Sequence, residues 1–167
     1  VGENRILTHF GLQRFNSTPC SGLKALISFC SSKTNFTATD LVFQIGPRIN
    51  AAGRIKHARD AVFLLIARTD HEAELFIRQI DLQNSQRKDF DNRITEEALA
   101  MIDDCEALQG RKTTVVYQKD WHKGVIGIVA SRLTEKYYRP TIVLTRSNGM
   151  VSGSARSVIG YDLYEAL

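Results

Sequence analysis

The sequence predicts an α/β protein: a helical N-terminal part, a long connector helix, and then an incomplete α/β domain with a mixed sheet. Three observations predict it. Glycine and proline interrupt short apolar segments near the N-terminus, neither residue occurs between positions 70 and 109, and apolar spacing changes after Gly110. We therefore divide the chain at 1–69, 70–109 and 110–167.

The N-terminal part is expected to form short helices joined by loops. Gly11 and the pair Gly46-Pro47 are predicted to end helices, since glycine commonly terminates a helix and proline cannot continue one. The expected helices are 3–10, 22–30, 40–45 and 60–67.

The segment from 70 to 109 is predicted to be one helix that begins at a Thr69-Asp70 cap, with Glu72 in its first turn. At ~1.5 Å per residue it would be about 60 Å long. Its heptad seam is apolar at both ends but polar at Asn84, Arg87 and Asp91, so we expect packed ends, a solvated middle and a rod between two bodies. The apolar seam positions are Ala73, Ile77, Ile80, Ile94, Ala98, Met101, Cys105 and Leu108.

The last part is predicted to be a βαβ unit followed by a hairpin. Two β-rich stretches flank an amphipathic helical stretch, and Ser147-Asn148-Gly149 is a strong turn signal. The expected elements are a strand at 113–117, a helix at 125–138, and strands at 141–145 and 150–156.

Charge is unevenly distributed. Residues 70–106 carry a net −7 and the rest of the chain +11, and acids are absent from 41–59 and 136–161. Basic ends of this kind are typical of a protein that binds a polyanion, although scattered solubilising charge is the alternative. Three widely spaced cysteines indicate a reducing cytoplasm, and no apolar run is long enough to predict a membrane span.

Three short motifs have residues suited to holding phosphate. Asp120 to Gly127 is a glycine-containing strand-to-helix turn, Gly153 to Ser157 offers hydroxyls and Arg156, and Pro47 to Arg59 is basic. Each motif alone has a structural alternative: Trp121 as a core anchor with His122 as a helix cap, a tight turn with an exposed arginine, and a solvated basic loop.

A metal-dependent nuclease needs several converging carboxylates and histidines, and no such set is visible. The compact cluster Asp70-His71-Glu72 lies where a helix start favours an Asp cap and an early Glu, so we interpret it as a cap.

Together, PRINAAGRI at 47–55, WHKGVIGIVASRL at 121–133, GSARS at 153–157 and the opening VGENRIL at 1–7 resemble the RecJ family of the DHH phosphoesterase superfamily. The resemblance implies the end of a DHH domain at 1–69, a connector helix and the start of a DHH-associated domain at 110–167. It also implies that the whole protein is a 5′-3′ single-stranded-DNA exonuclease of DNA repair and recombination that uses Mn²⁺ or Mg²⁺. The metal motifs are then expected before Val1, and this chain is expected to hold DNA without catalytic or metal residues.

The resemblance further implies which residues contact single-stranded DNA. Arg48, Asn50 and Arg54 would face the DNA or its 5′ end, and Trp121, His122, Gly124, Ser154, Arg156 and Ser157 would form the opposite, phosphate-binding wall. Two alternatives remain open: a related phosphoesterase acting on short oligonucleotides or cyclic dinucleotides, and a non-catalytic nucleic-acid-binding relative.

Overall fold

A computed structural model describes residues 2–30 and 33–166, so Val1 of the opening motif lies outside the described residues. The chain divides into two compact units, one ending at Gln86 and the other beginning at Arg87. The elements of the first unit are α1 (Glu3–Ser17), α2 (Ser21–Cys30), α3 (Ala38–Asp40), a π turn (Leu41–Ile45), α4 (Gly46–Ile55) and α5 (Arg59–Ile66). Helix α6 (Asp70–Asp103) contributes to both units.

The second unit contains α7 (Glu106–Gln109), β1 (Thr114–Tyr117), α8 (Ile126–Tyr137), β2 (Thr141–Ser147) and β3 (Met150–Arg156). Strand β1 pairs in parallel with β2, and β2 pairs antiparallel with β3. Asn148 and Gly149 join β2 to β3 with positive φ angles of 52° and 80°, as a two-residue hairpin turn requires. The α/β class and the mixed sheet predicted from the sequence are therefore confirmed.

The N-terminal unit is built around an apolar core that all its long helices share. Helix α5 contacts both α2 and α4, and α6 contributes three residues whose spacing places them on one helix face. The core residues are Phe15, Leu26, Phe36, Ile45, Ala52, Ala61, Leu64, Ala73, Ile77 and Ile80.

Two predicted helix ends are wrong. Helix α1 continues through Gly11 to Ser17, because a glycine inside a helix costs only about 1 kcal/mol and the extra turn buries Phe15 in the core. The helix at 41–45 continues into α4, because the chain widens into a π turn in which Gly46 N–H donates to Leu41 O. Pro47 then lies in the first turn of α4, where its missing N–H is tolerated.

The start of α3 shows how a polar cap fixes the chain before the π turn. Thr37 Oγ1 accepts from Asp40 N–H, and Asp40 Oδ2 accepts from Thr37 N–H at 2.7 Å. The Lys33 ammonium donates to the same carboxylate at 2.6 Å, and together with Thr37 it holds the pKa of Asp40 well below its usual value. The carboxylate therefore remains charged and continues to accept these bonds in mildly acidic solution.

Helix α6 differs from its predicted form in two respects. It ends at Asp103 rather than at 109, because Cys105 has extended backbone and two aspartates oppose the helix dipole at its C-terminus. The helix also follows its natural 3.6-residue period rather than a heptad, so Ile102 is fully buried while Met101 is exposed.

The polar middle of α6 is buried, contrary to the predicted solvated middle. Gln83, Asn84 and Asp91 are at most 3% exposed. In the N-terminal unit Gln83 Nε2 donates to Asp60 at 2.9 Å, and in the C-terminal unit Asp91 accepts from Arg132 at 2.8 Å. Burial of the Gln83 amide N–H and of the Asp91 carboxylate is compatible with folding because each has a partner in a helix distant in sequence.

Candidate nucleic-acid interface

Trp121 anchors the turn that joins β1 to α8 to the rest of the C-terminal unit. Its indole is 4% exposed, and Nε1–H donates to Glu97 Oε2 at 2.7 Å. The Trp121 carbonyl accepts a bond of 2.7 Å from Thr145 Oγ1 on β2. Trp121 therefore anchors the turn, and contact between its ring and DNA stays a prediction.

His122 and Gly124 follow Trp121 in the turn. The Gly124 N–H donates to His122 Nδ1 at 3.2 Å, and the imidazole stacks on the Phe90 ring with centroids 5.0 Å apart. The His122 carbonyl accepts from the N–H groups of Val125 and Ile126, which begins α8. The turn therefore leads directly into the first helical residues.

The beginning of α8 lies against β3 at a glycine. A Cβ on Gly127 would be 3.0 Å from Ser154 Oγ and 3.4 Å from Arg156 Nη2, so a side chain at Gly127 would disturb both groups. Helix α8 has no side-chain cap at this end. The structure thus brings Ser154 and Arg156 to the first turn of α8 at Gly127.

Arg156 is exposed, and hydrogen bonds define its orientation. Nε–H donates to Ser131 Oγ at 3.0 Å, and Nη1–H donates to Ala155 O at 2.7 Å and to Ser154 Oγ at 3.3 Å. No hydrogen bond of Nη2, which points toward Gly127, is found within residues 2–30 and 33–166. Sequence reasoning missed Ser131, although its position four residues after Gly127 on the same helix face could have indicated it.

Ser157 follows Arg156 at the end of β3. Its hydroxyl donates to Tyr161 O at 2.6 Å, and the residue is exposed. The hydroxyl oxygen can still accept a bond, but its proton is directed to the following segment rather than to an anion.

This arrangement is suited chemically to an oxyanion. The start of a twelve-residue helix without a side-chain cap carries partial positive charge, and Arg156 adds an oriented guanidinium beside it. The nearby Ser154 hydroxyl can donate another bond. The site therefore suits phosphate-type groups and contains no group placed to break a bond.

The other three predicted residues lie on α4 in the N-terminal unit, which is a helix and not a basic loop. Arg48 is turned toward the protein: Nη1–H donates to Gln44 O at 2.9 Å, and Nε lies 3.6 Å from Asp81 Oδ1. Asn50 and Arg54 are exposed and four residues apart, so they share one helix face. Of the three, Asn50 and Arg54 are therefore the better placed to meet a ligand from solvent.

Residues suited to a metal ion do not come together in the described part of the chain. Between residues 2 and 166, apart from 31–32, no group of three or more His, Cys, Asp or Glu side chains could hold an ion. Asp70-His71-Glu72 begins α6, where Glu72 N–H donates to Thr69 Oγ1 and Glu72 Oε2 accepts from Arg68 N–H. These residues do not fit a nuclease metal centre, so we assign no catalytic step to them.

None of the described helices combines the length and the apolarity that crossing a membrane requires.

Comparisons with known proteins agree with one family. Residues 110–167 match the DHHA1 domain. The chain is 40% identical to the single-stranded-DNA-specific exonuclease RecJ of Bacillus subtilis, over 99% of this chain and 21% of that protein, and 36% identical to RecJ of Escherichia coli, over 99% and 30%. The chain thus spans less than a third of the curated relatives it matches.

A solved structure shares the fold. RecJ of Thermus thermophilus in complex with Mn²⁺ superposes with a TM-score of 0.85 and 30% sequence identity, covering 99% of this chain and 24% of that chain. The chain is therefore homologous over nearly its whole length to one segment of RecJ, and residues 110–167 of it match the DHHA1 domain.

Proposed function

We propose that this chain is part of a RecJ-type exonuclease that degrades single-stranded DNA from the 5′ end, and that it supplies phosphate-binding surface. The observation that carries the proposal is the close approach of Ser154 and Arg156 to Gly127 at the start of α8, where an added Cβ would lie 3.0 Å and 3.4 Å from their side chains. The names of the curated relatives, all single-stranded-DNA-specific exonucleases, support the substrate. Repair and recombination in the cytoplasm is the setting we propose.

Hydrolysis in such a protein would use Mn²⁺ or Mg²⁺, the ions in two solved RecJ structures. Because the described residues form no group that could hold an ion, we propose that the ions belong to another part of the whole protein. The residues of this chain would bind and orient the DNA backbone. Their chemistry is hydrogen bonding to phosphate from the Nη2 group of Arg156 and from the neighbouring hydroxyl.

Replacing Arg156 with Ala is expected to weaken binding of a fluorescent single-stranded oligonucleotide about tenfold, the size of a hydrogen bond to a charged group. The slope of log K against log salt concentration should also become shallower, by the amount that about one phosphate contact contributes. Fluorescence anisotropy at several salt concentrations measures both quantities. Arg54→Ala should have a similar effect, since Arg54 is exposed on α4.

Arg146→Ala is the matched control for this experiment. Arg146 is also an exposed arginine of the same sheet, on β2, but it pairs with Val151 at the opposite end of β3. The Arg146→Ala substitution removes the same charge but leaves the residues near Gly127 unchanged, so a smaller loss of DNA affinity is expected. Equal losses for Arg146→Ala and Arg156→Ala would contradict a specific phosphate site. Cleavage of cyclic dinucleotides in preference to long single strands would replace the exonuclease proposal.

A further inference from the structure

Helix α6 holds the turn before α8 at two successive residues. Phe90 stacks on His122 with an interplanar angle of 24°, and Glu97 accepts the indole N–H of Trp121 at 2.7 Å. Phe90 and Glu97 are seven residues apart, which is two helical turns and therefore the same face. The orientation of the turn is thus defined by side chains of α6 as well as by its own backbone.

The hydrogen bond to Nδ1 determines which imidazole nitrogen carries the proton. A backbone N–H can only donate, so the Gly124 N–H at 3.2 Å requires a lone pair on His122 Nδ1. The proton of the neutral ring is then on Nε2. No partner of Nε2 is found among the described residues, and Nε2 is not enclosed, so this N–H is available to a ligand.

Phe90 restrains the imidazole in this orientation. The Phe90 ring contacts His122 and also the Arg93 guanidinium, which lies 5.2 Å from the ring centroid. Arg93 Nε in turn lies 3.8 Å from Glu97 Oε1, the carboxylate that holds Trp121. Rotation of the His122 ring out of its present plane would break both the stack with Phe90 and the bond from Gly124.

We propose that Phe90 is a positioning residue that holds His122 with Nε2–H directed outward, as a hydrogen-bond donor to a phosphate oxygen of single-stranded DNA. This inference rests on the proposed function. Phe90 itself is half-buried, its ring contacts both Arg93 and His122, and it is not assigned a contact with DNA. Its action is on the tautomer and direction of the imidazole.

The test combines imidazole ¹⁵N chemical shifts with oligonucleotide anisotropy. We expect wild-type His122 to be protonated at Nε2. Phe90→Leu should reduce the fraction of that tautomer and weaken binding about threefold, which corresponds to the free energy of one aromatic pair. Phe90→Tyr keeps the aromatic ring and should retain both the tautomer and the affinity. His122→Ala should weaken binding about tenfold, and Phe90→Leu should add nothing in that background.

Phe63→Leu is the matched control, since Phe63 also belongs to an aromatic pair, with Phe76 at 5.5 Å, but lies in the N-terminal unit. It should leave the His122 shifts and the affinity unchanged. A wild-type proton on Nδ1 would overturn the inference even if Phe90→Leu did not fold, as would an equal effect of Phe90→Leu with and without His122. If Arg156→Ala weakens binding and Phe90→Leu does not, only this inference fails. If Arg156→Ala and His122→Ala both bind normally, the proposed function fails with it.

Discussion

Gly22→Ala is expected to destabilise the N-terminal unit by about 3 kcal/mol, because the added methyl group has no space. Helix α2 approaches α5 so closely at Gly22 that a Cβ would lie 1.9 Å from Leu64 O and 2.8 Å from Leu64 C. These are backbone atoms, which cannot rotate aside as a flexible side chain can. The two helices would have to separate and expose the fully buried Leu26 and Leu64. Urea denaturation followed by circular dichroism measures the loss.

Gly11→Ala is the matched control, since it makes the same chemical change in a neighbouring helix. Gly11 lies inside α1 with nothing within 4 Å of an added Cβ. This substitution should stabilise the protein by about 0.5–1 kcal/mol through the higher helix propensity of alanine. Similar unfolding midpoints for the two variants would show that α2 and α5 are not packed as closely as the structure has them.

The part of the fold with local signals was predictable from the sequence. The strands, α8 and the hairpin were found because β-branched residues, a helical apolar period and Asn148-Gly149 each act over a few residues. The helix ends at Gly11 and Gly46-Pro47 were misassigned because burial of Phe15 and a π turn overrode the local preference.

The buried middle of α6 could not be predicted in this way. A polar residue normally indicates a solvated position, and burial became possible only through partners far away in the sequence. Gln83 is bonded to Asp60 and Asp91 to Arg132, so the pairs are separated by 23 and 41 residues. No periodic pattern in one sequence reports such a pairing.

The candidate site divides in the same manner. His122, Gly124, Ser154 and Arg156 could be predicted as site residues because each lies within a short contiguous motif, and the structure places them in one unit. Phe90 and Glu97 were missed because their relation to the turn comes from the packing of α6 on it. The supporting residues of the candidate site therefore needed the structure, while the residues predicted to contact DNA were named from contiguous motifs, and that role stays a prediction.

Arg139 connects the segment before β1 to the end of α8 through three hydrogen bonds. The residue is 9% exposed, and Nη1–H donates to Gln109 O at 2.9 Å and to Arg111 O at 2.6 Å. Its Nε–H donates at 2.6 Å to the hydroxyl of the fully buried Thr114. One guanidinium thus satisfies two carbonyls at and after the end of α7 and the first residue of the sheet.

Arg139→Ala is therefore expected to cost about 3 kcal/mol of unfolding free energy, because carbonyl and hydroxyl groups lose charge-assisted bonds and a cavity remains. Arg139→Lys should lose part of that amount, since an ammonium keeps the charge but cannot place donors on three groups at fixed angles. Arg146→Ala, at an exposed site on β2, should change stability by less than about 0.5 kcal/mol. If Arg139→Lys were as stable as the wild type, the charge of Arg139 would matter and its fork geometry would not. The resulting rank order of the three variants thus separates the contribution of the guanidinium fork from that of the charge alone.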